Sequence, residues 1–459
     1  MTWEVFSRTI VKEAEDLAIE KVRERVQDLL TTCRDSSGLF CDPDFGPNAQ
    51  DPTGKLAIFF EEEVEVGGDR DVGALNNVAG LDIESIQWLR PKDFCANPEK
   101  CALITTETQE EKEEESEPPE DLEAQLEREL AASKSAAVPA PNELLKQGVK
   151  PAVQMEVQKA VGKMRRSEGV SGTDVMQGQL GNCWFVSAMV LTAMRSDLFS
   201  TLMCNDVFQE YEKDGVFVFL LHKCTRGYYI IIDDRVPCLE RANGTAFPAF
   251  SRCRNPDEFW VSLLEKAYAK LNSRYINLTN GFIDEGLANL TNYDPETLKF
   301  NSETDPDQNW KVLSELLNSG SLVGCSLNFQ GVKGLTPREV QEKQREALSK
   351  GIQYGHAYGI LDCRELEVDG ETKRFLRIRN PWGKEMQLEW RGDWSDGDER
   401  WTPELKQHFN AVVGDLRTKL DKEEMLHDFD AKGDNIFIME INDFIQFFNT
   451  VMAVRVRAM

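Results

Sequence analysis

Histidine is scarce in this sequence: only His222, His356, His408 and His427 occur in 459 residues. Any chemistry that needs an imidazole must draw on that short list. The eleven cysteines are odd in number and scattered, no CxxC occurs, and Cys95 with Cys101 is the nearest pair. That spacing fits neither a zinc ribbon nor a small disulfide scaffold, and a chain of this length needs no covalent staples. No run of about 18 apolar residues exists, which excludes a membrane-spanning helix. Met1–Glu13 has no unbroken apolar stretch of the kind a secretory leader carries. These absences predict a soluble protein of a reducing, cytoplasmic compartment. Basic residues are also in deficit: 53 Lys and Arg face 80 Asp and Glu, a net charge of -27. Non-specific nucleic-acid binding, which needs clustered cations, is thereby excluded. The acidity leaves two readings, a solvated acidic tract or carboxylates gathered for calcium.

What is present is a chain long enough for two to four domains, with an ordinary 41% hydrophobic and 9% aromatic content. Over Trp3–Leu30 the apolar residues Phe6, Ile10, Ala14, Leu17, Val22, Val26 and Leu29 recur every three to five positions. This periodicity predicts an amphipathic helix, docked either on its own globule or on a partner chain. Between Glu107 and Leu130 twelve acidic residues face only Lys112 and Arg128, with Pro118 and Pro119 in the middle. Such a tract reads as a solvated insert. The linker extends through Ala136–Pro141, and helical periodicity returns over Val149–Met164. From Gly169 onward the chain reads as continuously folded. Helices are expected over Cys183–Met194 and Phe259–Leu271. Strands are expected over Val216–Leu221, Tyr228–Ile232, Leu322–Leu327, His356–Asp362 and Phe375–Arg379. A helical half followed by a strand-rich half suggests two subdomains with a cleft between them.

Three segments bear reactive groups in suggestive settings. Cys183 lies in QGQLGNCWFVSA, a glycine-rich turn that runs into an apolar helix. A thiol there meets the positive end of the helix and unpaired N–H groups, which predicts a lowered pKa. The same N–H groups could hold an oxyanion, joined by the side-chain amide of Gln177. His356 lies in GIQYGHAYGILD, small residues around it and apolar ones after it, as for a side chain presented from a strand start into a cleft. His222 ends an apolar strand, and His408 and His427 read as polar helical residues. Asn380 lies in RIRNPWG, where its amide oxygen can fix the imidazole tautomer. Trp382 is placed either to shield that bond or to serve as a buried structural ring.

The segments TDVMQGQLGNCWFVSA, EFWVSLLEKAYAKLN, GSLVGCSL, GHAYGILD and RIRNPWG resemble the protease core of the calpain family, in that family's order. GLFCDPDFGP and WLRPKDF resemble the segment that precedes the core, so the likeness covers Asp35–Val456 except for the acidic insert. The resemblance implies an α+β, papain-like, two-lobed core. The expected divisions are 1–34 (helix), 35–103 (approach segment), 104–148 (insert), 149–280 (helical lobe with Cys183) and 281–459 (β-rich lobe with His356 and Asn380). It further implies a cysteine endopeptidase that makes limited cuts in cytosolic protein substrates through Cys183, His356, Asn380 and Gln177.

The family resemblance also implies calcium. Gly169 and Asp174 match ligand positions of the first lobe, where Ile276 replaces an acidic one. Glu389, Asp396, Asp434 and the carbonyl of Lys432 match those of the second, where Ile436 replaces another. Both sets are incomplete against the six to eight oxygens calcium takes. Asp428–Glu440 imitates an EF-hand loop but ends on Met439 at the position of the bidentate Glu, so it is not one. Asn182 stands where the family has Asp, which predicts altered hydrogen bonding beside the nucleophile. The chain ends at Met459 without the β-sandwich and calcium-binding helical domain of conventional calpains, so recruitment through those domains is not expected. Two rival readings keep the fold: a catalytically silent binding module, and acyl transfer to an amine.

Overall fold

The computed structural model describes residues 10–12, 18–48, 51–58, 85–98, 102, 170–300, 305–327, 336–382, 388–411, 427–430 and 434–456. The acidic insert, the periodic Val149–Met164 segment, Gly169 and Lys432 lie outside the described residues. The helices used below are α1 (Ala18–Thr32), α2 (Cys183–Ala193), α3 (Ser196–Met203), α4 (Trp260–Leu271) and α5 (Ile283–Thr291). They continue with α6 (Pro306–Asn318), α7 (Pro337–Ser349), α8 (Pro403–Ala411) and α9 (Ile441–Phe447). The strands are β1 (Ile10–Lys12), β2 (Gln87–Leu89), β3 (Val175–Met176), β4 (Val216–Lys223), β5 (Arg226–Asp233), β6 (Val236–Glu240) and β7 (Ala246–Pro248). The remainder are β8 (Arg252–Cys253), β9 (Pro295–Lys299), β10 (Leu322–Ser326), β11 (Ala357–Val368), β12 (Glu371–Arg379), β13 (Ile436–Glu440) and β14 (Thr450–Val454). The chain is α+β, and every helix and strand expected from Cys183 onward is present.

An antiparallel six-stranded sheet in the order β13-β12-β11-β10-β14-β9 dominates the second half. Its strands β10, β13 and β14 read as short apolar runs because both of their faces are covered. Val323, Cys325, Tyr358, Ile360, Phe437, Met439, Val451 and Ala453 share one core with α6 and α9. Leu322, Ala357, Ile436, Met452 and Val454 face a second core, built on α2, α4 and α5. Alternation along each strand therefore assigns neighbours to opposite cores. Gly324 lets α5 approach the sheet, since a Cβ there would meet the Ile283 side chain at 2.7 Å.

The first half also contains sheet. β4 and β5 form a hairpin, and β1 adds to the free edge of β5, pairing Ile10 with Ile230 and Lys12 with Tyr228. This corrects the expected helix over Trp3–Leu30, whose described part begins at Ala18. The β-branched pair Ile10–Val11 meets an open strand edge, and ladder pairing overrides the helical spacing. From Ala18 the periodicity holds. Val22, Val26 and Leu29 on α1 are buried with Phe208, Val216, Val218, Tyr229 and Ile231. The apolar face of α1 thus docks on the chain's own sheet.

α4 is buried along its whole length although it carries Glu265, Lys266 and Lys270. Each charge has a partner, as burial demands. Lys266 reaches Asp233 at 2.5 Å, and Lys270 reaches Asp42 at 2.5 Å. Asp42 belongs to the upstream GLFCDPDFGP segment, so that segment is anchored on α4 by charge. Trp88 of the WLRPKDF segment packs edge-on to Tyr275 and lies under Lys266, 5.4 Å from the ring centroid.

Candidate active site

Two turns place the first reactive group. A Cβ at Gly178 would collide with the Phe250 carbonyl, so glycine alone allows the chain to pass there before α2 begins. Asn182 is the residue before the first turn of α2, and its carbonyl accepts from Phe185 and Val186 N–H at 2.9 and 3.0 Å. Cys183 is then the first residue of α2, half-buried. α2 packs on β11: Ser187 Oγ donates to the Ala357 carbonyl at 3.2 Å, and Gly359 lies against Leu191. This contact sets His356, the residue before β11, beside the start of α2. The backbone N–H of Ala357 reaches the Cys183 thiol.

His356 is 3% exposed, and its Nε2 lies 2.8 Å from Asn380 Oδ1. Asn380 follows β12 and is itself fixed. Its Nδ2 donates to the Leu388 carbonyl at 3.0 Å, and its Oδ1 also accepts from Trp382 N–H at 3.1 Å. Because the amide nitrogen is committed to Leu388, the oxygen must face the ring, and Nε2 must carry the proton. Nδ1 is left as the nitrogen with a lone pair. Trp382 covers the imidazole, with ring centroids 4.3 Å apart and a tilt of 38°. Gln177 is tied to the same segment, its N–H donating to the Pro381 carbonyl at 2.9 Å. Its Nε2 donates to Leu180 O at 2.7 Å, which orients the amide and leaves one N–H of the pair for a ligand. All four expected residues are therefore gathered around the junction of α2, β11 and β12.

The electrostatics differ from the sequence expectation. Burial pushes the Cys183 thiol up to about 11, against the lowering effect of the Ala357, Trp184 and Cys183 N–H groups. The helix-terminus effect exists, but desolvation outweighs it. Burial likewise holds His356 down at about 4, although its bond to Asn380 favours the charged ring. Among the described residues no hydrogen bond joins the thiol to the imidazole. The pair rests as neutral thiol and neutral imidazole.

The other histidines fall away from this junction. His222 lies within β4, and His408 is exposed on α8. His427, expected among polar helical residues, is instead buried against Phe409 and Phe429 with its Nε2 2.8 Å from Asp396 Oδ1. Aromatic neighbours distant in sequence bury it, which local polarity could not reveal.

Of the two expected calcium sets, Asp174 of the first and Glu389, Asp396 and Asp434 of the second are among the described residues. Asp174 has its carboxyl raised to about 6 by burial and by Glu258, with Arg379 and Arg254 opposing. Glu389 accepts Asn435 N–H at 2.7 Å, and Asp434 accepts Ile436 N–H at 2.9 Å. Asp396 is raised by burial, with His427 lowering it and Asp434 and Asp428 raising it further. Its Oδ2 is buried without a hydrogen bond among the described residues, the one feature that invites a cation. One oxygen falls far short of the six to eight calcium takes. Among the described residues no group of three or more His, Cys, Asp or Glu is placed to hold a metal. Residues 436–440 form β13 and pair with β12, so the second half of the EF-hand imitation is a sheet strand rather than the end of a calcium loop.

Two participants were not singled out from sequence. Arg379 is buried and donates to the Gly172, Thr173 and Val175 carbonyls, clasping the chain ahead of Gln177 to the end of β12. Glu265 accepts from Asn182 Nδ2 at 2.7 Å. Arg379 adjoins Asn380 in RIRNPWG, which was the available signal. Glu265 gave none, since a charge on a helix usually reads as a solvated face.

Residues 141–455 match the domain of the calpain family cysteine proteases. The chain is 32% identical over 252 residues to Calpain-8 of Rattus norvegicus, covering 54% of this chain and 33% of that protein. It is 30% identical over 281 residues to the Calpain-2 catalytic subunit of Gallus gallus, covering 61% and 35%. It is 32% identical over 253 residues to the Calpain-type cysteine protease ADL1 of Oryza sativa subsp. japonica, covering 54% and 10%. The chain spans about a third or less of the length of these relatives. Among the described residues no helix is long and apolar enough to cross a membrane. With the family's domain matched over residues 141–455, more than half of the chain, and a cysteine, a histidine and an asparagine gathered at one junction, this chain belongs to the calpain family of cysteine proteases.

Proposed function

We propose that the chain is a cysteine endopeptidase that makes limited cuts in proteins, with Cys183 as nucleophile, His356 as base and acid, and Asn380 as orienter. The observation that carries this reading is the His356 Nε2 to Asn380 Oδ1 bond of 2.8 Å beside the residue whose N–H reaches Cys183. Asn380 selects the tautomer that leaves Nδ1 basic. As substrate enters, His356 Nδ1 takes the thiol proton and Sγ bonds to the scissile carbonyl carbon. The carbonyl electron pair moves onto oxygen, where the Cys183 N–H and Gln177 Nε2 can receive it. Collapse expels the amine, which leaves with the proton from His356. Water, deprotonated by His356, then attacks the thioester, and the acid product departs as Sγ regains its proton.

The two cores that share the large sheet correspond in this reading to the two lobes of a papain-like protease. Action in the cytoplasm accords with the free thiols on all described cysteines. No step is routed through calcium. Its proposed role is regulatory, at Glu389, Asp396, Asp434 and the Lys432 carbonyl, with the open Asp396 Oδ2 as the described oxygen that would take part. A response at such a site should have its midpoint near about 10⁻⁴–10⁻³ M, the range of weak calcium sites. The uncharged resting pair favours a second reading, a silent module of the same fold. Cleavage of casein by the wild type and Cys183→Ala, each with millimolar calcium and with chelator, separates the two. Loss of all cutting in the variant supports the protease; equal turnover in both, or none in either, overturns it.

A further inference from the structure

The start of α2 carries a residue that does not do what its type favours. Asparagine before the first turn of a helix normally turns its side-chain oxygen onto the N–H of the second or third helical residue. Asn182 makes no such bond. Its side chain is fully buried and points away into the protein, where Nδ2 donates to Glu265 Oε1 at 2.7 Å. Its Oδ1 has no hydrogen-bond partner among the described residues, a buried acceptor left unsatisfied at the nucleophile's own helix terminus. Glu265 is held rigidly in turn. Ser251 N–H donates to Oε2 at 2.9 Å, and Ser251 Oγ lies 2.5 Å from Oε1. Ser262 Oγ then binds the Ser251 carbonyl at 2.8 Å, so residue 251 is tied to α4 at two points and braces Glu265, which itself reaches the start of α2.

The consequence lies in which N–H groups stay open. Phe185 N–H is already given to the Asn182 carbonyl at 2.9 Å. The donor a capping Asn182 would capture is therefore that of Trp184. In the structure Trp184 N–H and Cys183 N–H instead face the Cys183 sulfur. We propose that Glu265 is a positioning residue for the nucleophile: by holding the Asn182 amide off the first turn of α2, it keeps the Trp184 N–H, beside that of Cys183, open toward the sulfur. The unsatisfied Oδ1 is the local cost of that arrangement, of the kind found where function overrides local preference.

This inference rests on the assignment of Cys183 as nucleophile, and its test separates the two. The alkylation rate of Cys183 by iodoacetamide at pH 8, read by mass spectrometry, reports the thiolate without any turnover. The kcat and KM on a fluorogenic peptide report the reaction. Glu265→Leu frees Asn182 to cap its own helix, and alkylation and kcat should each fall about tenfold, one lost donor to a charged atom being worth about 1.4 kcal/mol or more. KM should move little. Adding Asn182→Ala to Glu265→Leu removes the competing oxygen and should return both rates to within about threefold of wild type. A purely structural role for Glu265 would lower the melting temperature with no such rescue. Unchanged alkylation in Glu265→Leu, or a double variant as slow as the single, overturns the inference. Absence of wild-type turnover with the alkylation pattern intact overturns the assignment of activity instead. Should Glu265→Leu not fold, Glu265→Met with and without Asn182→Ala supplies the same comparison.

Discussion

At the scale of single residues, Cys183 and His356 are both held in their uncharged forms by burial. Forming a charged thiolate–imidazolium pair there carries a desolvation cost, which water or substrate entering the junction would offset. Asn380 is the residue on which the imidazole's orientation depends. Asn380→Ala would leave Nε2–H buried and unpaired, and kcat should fall by roughly 10- to 100-fold, matching a lost buried partner of about 1–3 kcal/mol. A change under about twofold in peptide turnover would remove Asn380 from the mechanism. The same burial fixes the sign of two pH effects. His356 sits at about 4 against an ordinary value of 6.5, so the unfolded chain binds a proton the native state refuses. Its stabilising contribution is full above about 6.5 and is lost as pH falls toward about 4. Glu265 is raised to about 7 from 4.5 by burial, so the native state keeps a proton that the unfolded chain releases. That contribution is full below about 4.5 and is lost as pH rises to about 7. In urea unfolding at pH 4.5 and 6.5, His356→Phe should therefore lose less stability on acidification than wild type, and Glu265→Leu more. Shifts of the same sign in both variants would contradict these environments.

At the scale of elements, α4 shows how a fully buried helix accommodates charge. Lys270 donates to Asp42 and to the Ile231 carbonyl, and Asp42 N–H donates to Asp233. The pairs tie the upstream 35–48 segment to α4 and β5. Removing one partner from a buried pair leaves the other charge uncompensated, at about 3–5 kcal/mol. Asp42→Ala should destabilise the fold by about that amount in denaturant unfolding, and a loss below about 1 kcal/mol would mean that water reaches Lys270. The β11–β12 pair carries a related cluster, with Asp362 Oδ2 2.8 Å from Arg377 and Oδ1 3.1 Å from Arg364. These strands present His356 and Asn380 at adjacent ends, so the rigidity of the ladder is also the precision of the site.

At the scale of the whole molecule, β1 pairs with β5 and α1 packs on the β4–β5 hairpin, in a core cluster that holds none of Cys183, His356, Asn380 or Gln177 among its described residues. Deleting residues 1–32 would expose the apolar surface of that sheet. The melting temperature should fall by several degrees, as for a loss of about 1–2 kcal/mol, with peptide turnover per folded molecule unchanged. A severalfold rise in turnover would establish the segment as an inhibitory brake. Much of this architecture was legible in the residues themselves. The apolar run after Cys183, the strand-like runs around His356 and Asn380 and the glycine-rich approach to the thiol each carry a local signal, because periodicity and turn chemistry act over a few neighbours. β1 was misread for the same reason, since an open strand edge far along the chain decided its pairing. The burial of His427 by Phe409 and Phe429, the upward shift of Cys183 and the Glu265–Asn182 strut were likewise invisible. The sequence by itself determined which side chains are candidates for the chemistry and in what order the elements follow. Only the tertiary structure decided their protonation, their partners and which backbone N–H groups stay open, because desolvation and hydrogen-bond competition depend on groups brought together from distant parts of the chain.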